Sequence, residues 1–254
     1  MPRKIKGYGW IPDLPDHRDF QFAAPVEKLA ALPPSVDLTP NCPPVYDQGN
    51  LGSCTANAIA AALEFDQMKE QQSPIFVPSR LFIYYNERAI ENTISCDNGA
   101  QIRDGMQSVA SQGACPEDTW PYDIANWEMQ PPAACYQAAL QHRAIVYRSV
   151  VQDLNQLKGC LASGNPVVFG FTVYQSFESD VVAQTGHAPM PQPGEQSLGG
   201  HAVLAVGYDD ANQWFIVRNS WGPNWGMQGY FTLPYAYLTN PNLASDFWMV
   251  QTVQ

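Results

Sequence analysis

The chain changes character after Gly164, and that change limits the folds open to it. Upstream, apolar residues recur at helical spacing. Downstream they fall into short β-type runs, "PVVFGFTV", "HAVLAVGYD", "QWFIVRN", "GYFTL" and "FWMVQT", separated by Gly, Pro, Asn and Asp. A helix is predicted from Cys54 to about Lys69, with Ala58, Ile59, Ala62, Leu63 and Phe65 as its apolar members; alanine is the best helix former. A second starts after Pro78 with Ser79 as N-cap, a third fits "AQIRDGMQSVASQG" with Gly113 as a left-handed cap, and a fourth, "QDLNQLKGCLASG", stops at Gly164. Helices first and strands later imply an α+β protein of two lobes, with a ligand cleft between them. The 254 residues suit one large domain or two compact halves. Residues 1–35 are rich in Pro and read as an extended strap.

The formal net charge of −11 argues against nucleic acid and anionic membrane as partners, since both demand a basic surface. No apolar run reaches membrane-spanning length, so no membrane partner is expected. The basic start, "MPRKIK", has no apolar core behind it and is not a secretory signal, which leaves cytoplasmic residence or another export route open. Six cysteines, at 42, 54, 96, 115, 135 and 160, include no CxxC pair; a structural zinc cluster is not expected, nor any other metal or cofactor.

Cys54 sits at the predicted start of the first helix, just after "QGNLGS". Unpaired N–H groups at a helix N-terminus favour the thiolate, the reactive form of cysteine. The alternative, a small buried structural cysteine, is as common. A thiolate needs an imidazole to hold the ion pair and protonate a leaving group. Of four histidines, His17, His142 and His187 lie in the strap, between elements and in a Pro/Gly-rich loop, and suit solvated roles. His201 follows "LGG" and opens an apolar strand, which gives it open space on one side and a rigid mount on the other. Asn219 ends a later strand and can fix one imidazole nitrogen, leaving the other for the thiol. Trp221 can shield that bond from water; "NSWGPNWG" can equally be a turn with two packing tryptophans.

Taken together, "QGNLGSC", "GGHAVLAVGY" and "NSWGPNWGMQGYF" resemble the papain-like cysteine peptidases in order and separation, over about residues 32–250. His201 and Asn219 lie 147 and 165 residues after Cys54, and Gln48 lies six before it. The resemblance implies a helical left lobe (about 43–141), a β-barrel-like right lobe (about 142–238), a C-terminal segment packing back, and thiol-dependent hydrolysis of peptide bonds. It implies Cys54 as nucleophile, His201 as acid/base, Asn219 as orienter, and the Gln48 amide with the Cys54 N–H as oxyanion hole. By the same resemblance Gly99 pairs with substrate backbone. Ile102, Gly170, Gly200 and Ala202 line a roomy apolar pocket, and Trp225 flanks the leaving-group side. No paired-histidine insertion is visible, so an endopeptidase acting on peptides or proteins, as a monomer, is expected.

The departures are informative. The family's nucleophile motif has a Cys three residues upstream and an aromatic just after; here they are Leu51 and Thr55, so the usual loop disulfide cannot form. This points to a prokaryotic branch, with the turn held by packing and Leu51 as a buried substitute. Cys96 and Cys135 lie near the family's left-lobe disulfide positions and are expected to pair. Cys160 is expected in the core; Cys42 and Cys115 have no assignment. Residues 1–31 precede the mature-like domain 32–254 and carry Tyr8, Trp10 and Phe20 among prolines. They are read as a short pro-segment that lies in or beside the cleft and inhibits it, or as a plain surface arm. Rival functions are a catalytically silent peptide binder and another Cys–His acyl transferase or amidase.

Overall fold

The computed structural model describes residues 8–142 and 145–252. In chain order it contains β1 (Gln21–Phe22), α1 (Val26–Ala30), β2 (Ser35–Asp37), α2 (Cys54–Lys69), α3 (Arg80–Glu91), α4 (Ile102–Gln112), α5 (Ala133–Ala139), β3 (Ile145–Val150), α6 (Leu154–Ala162), β4 (Val167–Tyr174), α7 (Asp180–Thr185), β5 (Ser197–Asp209), β6 (Trp214–Arg218), β7 (Tyr230–Pro234), α8 (Tyr235–Leu238) and β8 (Ala244–Thr252). This is an α+β fold, with helices concentrated in the first half of the chain and strands in the second, as the sequence predicts.

Helix α2 is the spine of the molecule. It is buried from Cys54 through Gln67, too far round for an amphipathic surface helix. Its many alanines let neighbours approach, and its buried polar groups have partners. Thr55 donates to Glu87 (2.8 Å), Asn57 to the Ser53 carbonyl (2.9 Å), and the Asp66 carboxylate accepts from Thr252 N (2.6 Å). Glu64 accepts from Tyr46. The bond to Thr252 ties α2 to the end of β8.

Helix α3 begins as the sequence predicts, with Ser79 Oγ accepting the Phe82 N–H. Helix α4 ends at Gly113, whose φ of +87° is in the glycine region while its ψ of −172° makes it extended rather than left-handed helical. The predicted strands are present as β4 to β8. The sequence reading missed β1, β2 and β3. The first two have two and three residues, below any periodicity, and the third alternates only weakly.

Among the described residues the strands form one open sheet in the order β1-β3-β8-β4-β5-β6-β7, with β2 pairing the far end of β5. Only β1–β3 is parallel. Strand β5, thirteen residues long, is the central mount: β4 flanks it on one side and β6 on the other, and His201 pairs with Phe171. One buried cluster fills the β-rich lobe around Phe169, Phe171, Phe215 and Phe231. A second joins α2 and α4 to the other face of β5 through Ile59, Ile102, Ala202 and Trp248.

The expected Cys96–Cys135 disulfide is absent. All six cysteines are free; Cys96 is exposed in the turn beyond α3, while Cys135 is buried with Phe82, Cys115 and Ala139. Cys115, unassigned from sequence, belongs to that small cluster. Cys160 is fully buried, as expected.

Candidate active site

Residues 47–54 form a turn that delivers Cys54 to the first position of α2. Leu51 is buried, as its substitution for the usual cysteine suggests. Polar bonds that the sequence did not reveal also hold the turn. The Asp97 carboxylate accepts the Gly52 N–H (3.0 Å) and the Tyr84 hydroxyl (2.5 Å), and Ser53 Oγ meets the Tyr122 hydroxyl at 2.6 Å. Asp97 follows Cys96, so a carboxylate holds the loop beside the position of the unpaired cysteine. Behind Cys54, Thr55 bonds Glu87, which is fully buried and whose carboxyl pKa burial pushes well up, against the Thr55 bond.

Gln48 is completely buried. Its Oε1 accepts from Ser220 Oγ (2.6 Å) and its Nε2 donates one proton to the Leu51 carbonyl (2.9 Å). Those two bonds fix the amide's orientation and leave the second Nε2 proton to point elsewhere. Ser220 was not anticipated, although it follows Asn219 directly.

On the facing wall, His201 Nε2 bonds Asn219 Oδ1 at 2.8 Å. Trp221 stacks on the imidazole, with centroids 5.0 Å apart and planes at 26°, and Trp225 packs edge-on against Trp221. Phe171 meets the ring from β4. His201 Nδ1 is buried without a hydrogen-bond partner. Cys54 Sγ accepts the N–H of Ala202, the next residue along β5, at 3.3 Å. The sulfur, the imidazole and the Asn219 amide therefore converge where α2 meets β5. The other three histidines are elsewhere: His17 is exposed, His142 packs on Phe76, and His187 stacks on Trp214.

The N-terminal strap runs through this cleft. Trp10 N donates to the Gly200 carbonyl (2.9 Å), Ala100 N to the Gly9 carbonyl (2.9 Å) and Ile11 N to the Ala100 carbonyl (3.1 Å). The backbone pairing reaches Ala100, one residue beyond Gly99. Gly99 has φ +84°, and a Cβ there would lie 2.0 Å from the Gly9 oxygen, so glycine is what lets the strap approach. The Trp10 indole lies flat against Gly170 and Gly200, where added Cβ atoms would fall 1.9 and 2.5 Å from ring carbons. Ile102 and Ala202 share its apolar cluster. Gly9 faces the nucleophile loop so closely that its own Cβ would sit 1.8 Å from the Gly52 oxygen. Tyr8 packs edge-on against His201, with ring centroids 5.9 Å apart.

Burial of the cleft, to which the strap adds, sets the electrostatics. Burial pushes the Cys54 thiol up to about 12, although the Ala202 and Gly9 N–H groups act the other way. Burial pushes His201 down to about 4, opposed by its bond to Asn219. The low thiol pKa expected at a helix start is absent here because desolvation outweighs the helix terminus. Both shifts favour the neutral thiol and the neutral imidazole while the strap is in place. Among the described residues no group of side chains could hold a metal ion, and no helix is long and apolar enough to cross a membrane.

Residues 32–247 match the family model described as papain family cysteine protease. An uncharacterized peptidase C1-like protein of Acanthamoeba polyphaga mimivirus is 42% identical over 98% of this chain and 88% of its own length. Bovine pro-cathepsin H is 29% identical over 79% of this chain, which spans 59% of that relative's length. Among solved structures, xylellain, a cysteine protease from Xylella fastidiosa, is 47% identical with a TM-score of 0.92, covering 100% of this chain and 99% of the other. A digestive procathepsin L 3 of Tenebrio molitor, 20% identical, shares the fold at a TM-score of 0.71 over 97% and 76% of the two chains.

Proposed function

Because the chain belongs to the papain family of cysteine proteases, we propose that it hydrolyses internal peptide bonds with Cys54, His201 and Asn219, and that residues 8–13 inhibit it by occupying the cleft. The observation that carries the catalytic part is the His201 Nε2–Asn219 Oδ1 bond on the strand whose next residue, Ala202, bonds the Cys54 sulfur. That arrangement commits Nε2 to the amide and reserves Nδ1 for the thiol proton.

In the proposed reaction Nδ1 takes the Cys54 proton and the thiolate attacks the scissile carbonyl carbon. The developing oxyanion is stabilised by the free Nε2 proton of Gln48 and the Cys54 N–H, donors already oriented before the charge appears. The imidazolium returns its proton to the leaving amine, giving a thioester to Cys54. Water, deprotonated by His201, then attacks the thioester, releases the acid and restores the thiol. Trp221 lies over the imidazole and keeps the Asn219 bond dry.

The inhibitory part is supported by where Gly9 and Trp10 lie. The Gly9 carbonyl is engaged by the Ala100 N–H. Residues 1–31 are therefore proposed as a pro-segment preceding a 32–254 peptidase domain, its first seven residues outside the described structure. The test is turnover of a fluorogenic peptide by the intact chain, by a Trp10→Ala variant and by that variant with Cys54→Ala. Turnover that rises on opening the strap and disappears with the sulfur supports both parts. Turnover that survives the loss of Cys54 refutes the mechanism.

A further inference from the structure

Cys115 and Cys135 stand at the two ends of the segment that braces the nucleophile turn. Cys115 lies just after α4, where its carbonyl accepts the Ser79 N–H at 2.7 Å. Cys135 lies in the first turn of α5. Their sulfurs meet against one turn. Cys115 Sγ is 3.4 Å from the Pro116 carbonyl oxygen, Cys135 Sγ is 3.9 Å from the Thr119 carbonyl oxygen, and the Thr119 N–H donates back to Pro116 at 3.1 Å. The two thiols are in hydrogen-bonding contact with each other, inside the small cluster they share with Phe82 and Ala139. The segment between them carries Tyr122, whose hydroxyl donates to the Gln48 carbonyl at 3.0 Å and meets Ser53 Oγ at 2.6 Å. It also carries Glu117, which pairs with Arg80, and Trp127, whose carbonyl accepts from Arg88.

We propose that Cys115 and Cys135 are a disulfide-forming site, and that their cross-link braces the nucleophile turn through Tyr122, in place of the loop disulfide that Leu51 rules out. The oxidant is itself a disulfide, either glutathione disulfide or a protein dithiol oxidase. One cysteine, as thiolate, attacks the oxidant's S–S bond and expels a thiol. The second thiolate attacks the mixed disulfide and expels the other. The Cys115–Cys135 bond forms, the oxidant's S–S bond breaks, two electrons pass to the oxidant, and the two cysteine protons end on the released thiols. Burial pushes both thiols up, so neither is a ready thiolate while the cluster is closed. Reaction therefore follows local opening of α5. That helix has seven residues and buries only Cys135 and Ala139, so little apolar contact holds it shut. Cys96 is exposed beyond α3 and outside the cluster, which removes it as the partner. A bond between 115 and 135 takes conformations away from the opened and unfolded chain. It thereby keeps Tyr122 against Gln48 and Ser53. The cross-link stands without the peptidase reading; its value to the Gln48 donor rests on that reading.

The test equilibrates the full chain with reduced or with oxidised glutathione, blocks the remaining thiols, digests without reduction and reads the peptides by mass spectrometry. Oxidation should yield a peptide pair joined through Cys115 and Cys135. A link from Cys135 to Cys96, or no link to Cys135, overturns the proposal. The two forms are then compared in a thermal melt and in thermolysin digestion. Oxidation should raise the melting temperature by about 5–10 °C and slow cleavage within 115–135 by about tenfold or more. Cys115→Ala and Cys135→Ala, each compared with itself across the same two buffers so that its own loss of stability cancels, should show neither change. A linked pair without these shifts, or shifts that persist in both variants, overturns the bracing role. The mass-spectrometric result needs neither a variant nor turnover. Failure of the peptidase reading shows separately, as absence of fluorogenic peptide turnover by Trp10→Ala under reducing conditions.

Discussion

Cys54 and Cys160 are both completely buried, and in both burial pushes the thiol pKa up. They differ in what covers them. Cys160 lies within α6, sealed by Leu157, Leu161, Val167 and their cluster, which are integral to the β-rich lobe. Cys54 lies at a helix start and is sealed by Gly9 and its neighbours, part of a strap that meets the protein through backbone bonds, the Trp10 and Tyr8 rings and the polar contacts of Asp13 and Asp19. Under the proposed mechanism, burial does not separate a structural cysteine from a reactive one; whether the cover can leave does.

The sharpest way to break the comparison is to remove each sulfur. Cys54→Ala should lower kcat/KM of the opened enzyme by about 10⁴-fold or more. Cys160→Ala should leave turnover intact and cost about 1 kcal/mol in denaturant unfolding, the effect of one lost buried atom. Comparable activity losses would erase the distinction. Next in size is the oxyanion donor: Gln48→Ala should reduce kcat by about 10²–10³-fold with a smaller effect on KM.

Much of this contrast was legible in the sequence. The turn "QGNLGSC" before an alanine-rich helix marked Cys54, and glycines before a buried strand marked His201. The chain order of Cys, His and Asn marked the family. Other parts depend on distant contacts that no local pattern encodes. Ser220 bonding Gln48, Asp97 bonding Gly52 and Asp246 bonding Trp10 join residues 45 to 236 positions apart. The Cys96–Cys135 pairing failed because resemblance gives positions, while a disulfide needs two side chains in one place; Cys135 lies with Cys115 instead. The raised thiol pKa of the covered form was not legible because a helix terminus is visible in sequence and desolvation by a remote segment is not.

A smaller effect concerns pH. Burial and Asp246 raise Asp13 from 3.8 to about 7, so the docked strap binds this proton more tightly than the free strap. Its contribution to docking is complete below about 3.8 and lost as pH rises through about 7. His201 works in the opposite direction: buried and lowered from 6.5 to about 4, it resists protonation, so its contribution is present above 6.5 and lost as pH falls through about 4. The two offset each other in the intact chain. Asp246, also raised by burial and bonded to Trp10 and Asp13, acts with Asp13; replacing both carboxylates by Asn removes that side of the balance, so strap docking, followed by Trp10 fluorescence, should strengthen from pH 4 to 6.5 in that double variant. A flat profile in the variant would show that His201 is not covered by the strap. The smallest expected change is at Cys96, exposed and unpaired, where Cys96→Ser should shift stability by less than about 0.5 kcal/mol in a thermal melt.

The most direct measurement is site-resolved iodoacetamide labelling of the full chain and of Gly9→Val, whose Cβ cannot fit beside the Gly52 oxygen. In the intact chain Cys54 and Cys160 should both label slowly at pH 7. In Gly9→Val, Cys54 alone should become fast, stay fast well below the ordinary thiol pKa, and slow again when His201→Ala is added. Labelling of Cys54 that remains as slow as that of Cys160 after the strap is displaced, or that ignores the loss of the imidazole, would contradict the claim that a removable cover conceals a thiol–imidazole pair.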